Sequence, residues 1–213
     1  MAMKVLVACE ESQEVCKAFR ELGHEAYSCD IEPCSGGHPE WHLQCDALEM
    51  LKLQWDMIIA HPPCTYLTNA GAVRMRVKGE IVPERYAKAM EARDFFMQFL
   101  NADCPRIAVE NPTPMKLVGL PPYTQAIQPY EYGHPYSKRT CLWLKGLLPL
   151  TPTNIVEQHE PYVNGGHKDA YGKYRTFKGR KERDPRARSR TFPGIAKAMA
   201  EQWGGSCDEE NAK

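Results

Sequence analysis

No stretch of about 18 apolar residues occurs in this sequence, so it offers no candidate membrane-spanning helix. Met1 to Val7 runs straight into a strand-like segment, without the basic region and apolar core of a secretory signal. Net charge of one sign is also missing. The 27 Lys and Arg balance 27 Asp and Glu, which excludes a global field that would draw a polyanion to the whole surface. The nine cysteines are an odd number and include no Cys-x-x-Cys pair, which argues against a disulfide framework and a standard zinc motif. Internal repeats are absent. These absences predict a cytoplasmic protein with reduced cysteines, several of them buried.

What is present is an ordinary globular composition, 43% hydrophobic and 25% charged, in 213 residues. That is enough for one domain with one substantial core, and residues 1–203 are read as that domain. Within it, 150–190 reads as a small irregular basic insertion, because Pro, Gly and His break up the apolar pattern. Lys173 to Arg190 alone holds nine Lys or Arg against two acids. The polar tail 204–213 is expected to be disordered.

Lys4-Val-Leu-Val-Ala-Cys9 is a short apolar run, and Val15, Phe19 and Leu22 follow at helical spacing until Gly23. Glu25 to Asp30 reads as a second strand and Trp55 to Ala60 as another, stopped by Pro62 and Pro63. Pro83 to Leu100 has a long helical pattern, Arg106 to Val109 a strand pattern, and Gly194 to Trp203 a compact amphipathic one. Strand and helix alternate, which predicts an α/β fold with a doubly wound, mostly parallel sheet and ligands at the carboxyl ends of its strands. Glu10, Asp30, His61 to Cys64 and Glu110 all fall at such ends.

Two of these ends carry chemistry. Ala60-His-Pro-Pro-Cys64-Thr-Tyr-Leu delivers a cysteine through a rigid corner, where nearby positive charge or a helix start would lower the thiol pKa and make it a nucleophile. The plainer reading is a turn with a small residue. Ile107-Ala-Val-Glu110-Asn-Pro ends a buried-type strand in a carboxyl group, which desolvation would raise in pKa and fit for donating a proton. A capping or solvated glutamate is the plainer reading there.

Together and in this order, Pro-Pro-Cys64 and Glu110-Asn resemble the cytosine-5 DNA methyltransferases, over roughly Lys4 to Leu144. The resemblance implies a Rossmann-like fold of the S-adenosylmethionine-dependent methyltransferase type. It also implies the reaction: Cys64 adds to carbon 6 of cytosine, Glu110 assists at N3, and carbon 5 takes the methyl group of S-adenosylmethionine. Ser137-Lys-Arg139-Thr-Cys-Leu-Trp-Leu is similar to the family's base-contacting segment, with Arg139 as the contact. For the cofactor, the resemblance implies Ala8, Cys9, Glu10 and Ser12 in the first loop, Asp30, Ile31 and Glu32 after the second strand, Asp46, and Pro62. The first loop departs from the family, which has a Phe and closely spaced glycines where this chain has Ala8-Cys9-Glu10-Glu11-Ser12. Glycines let backbone approach a ligand.

Only about 50 residues separate Arg139 from Gly194, so a large target-recognition domain is missing. In this the chain is most similar to small methyltransferase-like proteins of bacteriophages. That likeness implies a restriction–modification setting in the cytoplasm of a bacterial or phage-infected cell. DNA is the implied partner, single-stranded or with its target base flipped from a duplex. Arg74, Arg76 and Lys78, which follow the cysteine, and Lys173, Arg175, Lys178 and Arg180, interleaved with Tyr174 and Phe177, are the candidate nucleic-acid contacts. Cys29, Cys34, His38, His42 and Cys45 are zinc-type ligands in loose spacing, and no metal is expected. Three rival readings stay open: an amino-group methyltransferase that needs no thiol, a silent nucleic-acid-binding protein with a degenerate cofactor loop, and an enzyme whose substrate is a nucleotide or an RNA.

Overall fold

A computed structural model describes residues 1–163, 165–168, 173–177 and 185–205. Strand β1 (Lys4–Ala8) buries four of its five residues, with Val5 and Val7 on one face of the sheet and Leu6 and Ala8 on the other. Helix α1 (Glu14–Glu21) turns Val15, Cys16 and Phe19 inward and gives way at Gly23, whose φ of 84° suits a residue without Cβ. Next come β2 (Glu25–Asp30), a single helical turn Pro39–Trp41, β3 (His42–Gln44), α2 (Ala47–Met50) and the fully buried β4 (Met57–Ala60).

A helical turn Asn69–Arg74 and the hairpin β5 (Arg76–Val77) and β6 (Glu80–Ile81) lead into the 18-residue helix α3 (Pro83–Leu100). The chain continues through β7 (Ile107–Pro112), β8 (Gln125–Ile127), β9 (Tyr136–Ser137) and β10 (Thr140–Lys145). Within the segment read as irregular, the described residues form β11 (Glu160–Pro161), which pairs with β9, and the hairpin β12 (Gly165–Lys168) and β13 (Tyr174–Phe177). Two helices follow, α4 (Pro185–Ser189) and α5 (Pro193–Met199), the latter extended by a wider turn, Ala200–Gly204.

Seven strands form one sheet in the order β3-β2-β1-β4-β7-β10-β8. Pairings from β3 across to β7 are parallel, while β10 runs antiparallel to both β7 and β8. This is the doubly wound, mostly parallel, Rossmann-like sheet that the alternation of strands and helices predicts. One face is covered by α1 and α5, where Phe19, Ile195, Met199 and Trp203 pack on Val5, Val7 and Met57. The other is covered by α3, whose Phe96 and Phe99 pack with Leu6, Ile58, Ile107 and Trp143. The chain builds outward from β1 in both directions, so the β1/β4 boundary is the switch point at which such sheets leave a crevice. Among the described residues no helix is long and apolar enough to cross a membrane.

The seat of α5 leaves no room for a side chain at its start. Gly194 N donates to His134 Nε2 at 2.9 Å, and a Cβ at Gly194 would stand 1.9 Å from the Tyr132 carbonyl oxygen. Gly194→Ala is therefore expected to lower stability by about 1–3 kcal/mol through forced backbone displacement, measured by urea unfolding.

Candidate active site

The carboxyl ends of β1, β2, β4 and β7 open into one cleft of about 270 Å³. Cys9, Glu10, Glu11, Ser12 and Asp30 line one side, His61 to Cys64, Glu110 and Pro112 the other, and Lys138 and Arg188 to Thr191 the third. A larger hollow of about 480 Å³ between α2 and α3, lined by Leu48, Leu51, Lys52 and Met97 among others, brings together no nucleophile and acid. The candidate nucleophile and acids converge on the cleft at the strand ends.

Cys64 is half-buried beyond the Pro62-Pro63 corner, and its carbonyl oxygen accepts from the N–H groups of Leu67 and Thr68 at 3.0 and 3.2 Å. Its thiol pKa lies above the ordinary value. Burial is the main cause and the Glu110 charge adds to it, while Lys138 and Arg188 pull the other way. Nearby positive charge, the condition that the sequence sets for a lowered thiol, is present in Lys138 and Arg188, but desolvation outweighs it.

Glu110 has a partner that sequence reading does not assign. His61 Nδ1 lies 2.9 Å from Glu110 Oε2, with the side chains only 12% and 16% exposed. Burial disfavours the charge on each. The hydrogen bond and mutual attraction overcome it, so the His61 pKa is raised and the Glu110 pKa lowered. The expected raised carboxyl is thus corrected: Glu110 rests ionised because His61 neutralises it. The only hint lies in the pairing of β4 with β7, where Ala60 stands opposite Val109 and the next residues are His61 and Glu110.

Of the residues implied for the cofactor, Cys9, Glu10, Ser12, Asp30 and Pro62 line the cleft. Glu10 is buried, and its carboxylate accepts from the N–H groups of Val15 and Cys16 at 2.7 and 3.2 Å. It therefore occupies the amides of α1 that would otherwise meet a ligand carboxylate. The missing glycine has a structural counterpart, since Cys9 adopts φ 59°, a left-handed conformation costly for a residue with Cβ. Four placements depart from the expectation. Ala8 is wholly buried in the sheet, Ile31 is 72% exposed, and Glu32 also lies outside the cleft. Asp46 caps α2, accepting from Leu48 N at 2.9 Å. Asp30 fits a ribose diol, because the bond it takes among the described residues, from Glu32 N at 3.0 Å, leaves acceptor capacity at the cleft.

Lys138 rather than Arg139 reaches the cleft. Lys138 Nζ donates to the Arg188 carbonyl oxygen at 2.8 Å, whereas Arg139 is exposed and donates to the Tyr123 hydroxyl at 2.8 Å. Adjacent residues in extended chain point to opposite sides, so only one of the two can face the site. Arg74, Arg76 and Lys78 are exposed on the segment after Cys64 and do not line the cleft. Lys173 and Arg175 are exposed at β13, and Lys178 and Arg180 lie outside the described residues. Arg188 and Arg190 line the cleft although the sequence singles out neither; the basic run itself was the signal. Among the described residues no three of His, Cys, Asp and Glu converge as metal ligands.

The raised Cys64 thiol has a measurable consequence. Alkylation of Cys64 by iodoacetamide is expected to be slow at pH 7.5 and to accelerate as pH rises beyond 9, because only the thiolate reacts. Glu110→Gln removes a like charge and is expected to speed the reaction at pH 8 by up to about tenfold, one pKa unit's worth of thiolate. Peptide mapping by mass spectrometry reads the site, and equal rates in both proteins would refute the electrostatic account.

No protein-family model matches the sequence, and no curated protein does. Among solved structures, the chain is similar to one designated a DNA modification methyltransferase encoded within an E. coli prophage. That match has 14% identity and a TM-score of 0.46, over 73% of this chain and 52% of the other. It is also similar to the Entamoeba histolytica methyltransferase EhMeth, at 14% identity and a TM-score of 0.45, over 75% and 57% of the two chains. For the S. pombe Dnmt2 methyltransferase the values are 12% and 0.39, over 70% and 51%. The chain spans about half the length of these solved chains.

Proposed function

We propose that this chain is an S-adenosylmethionine-dependent methyltransferase acting on carbon 5 of cytosine in DNA, with Cys64 as a transient covalent nucleophile. One observation carries the reading: a thiol from the corner after β4 and a carboxylate from β7 line the same cleft at the switch point of a doubly wound sheet. The bacteriophage-like character, the restriction–modification setting and the cytoplasmic location belong to this same reading.

Cys64 gives its proton to water and adds to carbon 6 of the pyrimidine while the proton held by the His61–Glu110 pair passes to N3, which shifts electron density to carbon 5. After carbon 5 has been substituted, water takes its proton, Cys64 leaves carbon 6, and N3 returns its proton to the His61–Glu110 pair, which restores the ring. The resting thiol is protonated, which protects it from oxidation between turnovers. Lys138 and Arg188 supply the positive charge that favours the thiolate when it forms. Glu110 meets the N3 and amino edge of the base, and Lys138 takes the base contact that the resemblance gives to Arg139. When bound, S-adenosylmethionine supplies the electrophilic methyl group, and Asp30, Ser12 and Pro62 are the residues that would hold it. A cleft of about 270 Å³ has no room for a duplex. The cytosine must enter unstacked, from a single strand or by flipping, with Arg188 and Arg190 placed for backbone phosphates.

The test incubates the protein with radiolabelled S-adenosylmethionine and DNA containing 5-fluorocytosine, whose fluorine blocks the final elimination. A labelled adduct that survives denaturation is expected, and Cys64→Ser abolishes it. Absence of adduct while cofactor and DNA both bind would replace this reading with amino-group transfer or silent binding. On unmodified DNA, Lys138→Ala is expected to slow methylation by about tenfold or more, and Arg139→Ala to cost less.

A further inference from the structure

Resting on that reading, we propose that His61 is a positioning residue for Glu110, fixing the carboxylate in one orientation and keeping a proton within its reach. A glutamate has three side-chain torsions and nothing of its own to hold it. His61 supplies the hold from the neighbouring strand, on the residue before a Pro-Pro corner, through a 2.9 Å hydrogen bond to one carboxylate oxygen. The other oxygen is left for the base.

The environment of the imidazole sets it apart from a simple core histidine. Nδ1 serves Glu110, while Nε2 is buried with no hydrogen-bond partner among the described residues. A buried nitrogen without a partner is costly, and His61 lines the cleft, where an incoming ligand is the available partner. The charged groups acting on the ring are Glu110 on β7, Glu10 after β1 and Lys138 before β10. Two carboxylates against one ammonium favour the imidazolium, so the pair retains its proton until pH rises past the His61 titration. Both the direction and the proton content of Glu110 thus depend on a residue that itself need not touch the substrate.

The experiment has two arms on the full chain. In the first, the His61 Cε1–H resonance is titrated in the wild type and in Glu110→Gln. Wild-type His61 is expected to titrate above 6.5, and the variant lower by about one pH unit or more, because burial then meets less opposition. In the second, the rate of adduct formation is followed against pH. Divided by the Cys64 alkylation rate at the same pH, which removes the growth of thiolate, the wild-type rate is expected to fall as pH rises through the His61 titration. His61→Ala is expected to be about 10- to 100-fold slower. His61→Asn, whose amide reaches the Nδ1 position, is expected to recover most of the rate and to lack that pH step. Unchanged His61 titration in Glu110→Gln, or a wild-type rate and pH profile in His61→Ala, would overturn the proposal. If the wild type itself formed no adduct, the reaction assigned above would fall, and the first arm would still decide whether His61 and Glu110 share a proton.

Discussion

Everything in the cleft depends on β4 lying between β1 and β7 in parallel register. Ala8 stands opposite Ala60, and Ala60 opposite Val109, so β1 and β4 end at the level where β7 runs on past Val109, and Glu10, His61 and Glu110 come together there. Parallel strands need both faces covered, and here α1 with α5 on one side and α3 on the other satisfy that need. The site can be polar and half-buried because the sheet beneath it is not.

Given that register, the electrostatics follow from crowding. Glu10, His61, Cys64 and Glu110 line a space of about 270 Å³, too small for independent titration. Burial alone would push every one of them toward its neutral form. His61 and Glu110 escape by pairing, Glu10 is partly satisfied by the first amides of α1, and Cys64 does not escape. The result is a resting site with an ionised acid pair and a protonated thiol, opposite to the assignment that each residue considered alone suggests.

The first loop shows how the fold accommodates an unusual sequence. Without glycine, Cys9 takes the left-handed backbone and Glu10 turns back to cap α1. Gln13, itself left-handed and wholly buried, then fastens the 34–38 segment through bonds from Cys34 Sγ and His38 N and to the His38 carbonyl oxygen. Ser35 N bonds the Glu11 carbonyl oxygen, and Arg190 reaches the Ser35 hydroxyl at 3.1 Å. The two rims of the cleft are thereby joined through side chains rather than through a glycine turn.

Much of this was legible in the linear pattern. The apolar runs at β1, β4 and β7 and the helical spacing of α1, α3 and α5 lie close to where periodicity puts them, because local spacing reports which faces are buried. The nucleophile and acid candidates were legible too, since prolines end strands wherever they occur and strand ends are where such sheets place chemistry. The antiparallel entry of β10, the pairing of His61 with Glu110 and the exchange of Lys138 for Arg139 were not. Nor were the capping roles of Glu10 and Asp46. Each of these depends on which groups meet across the fold and how much water they lose there. Sequence by itself determined the alternating α/β plan and the residues able to react; tertiary structure alone decided their partners and charge states, because pKa and orientation are set by neighbours distant in the chain.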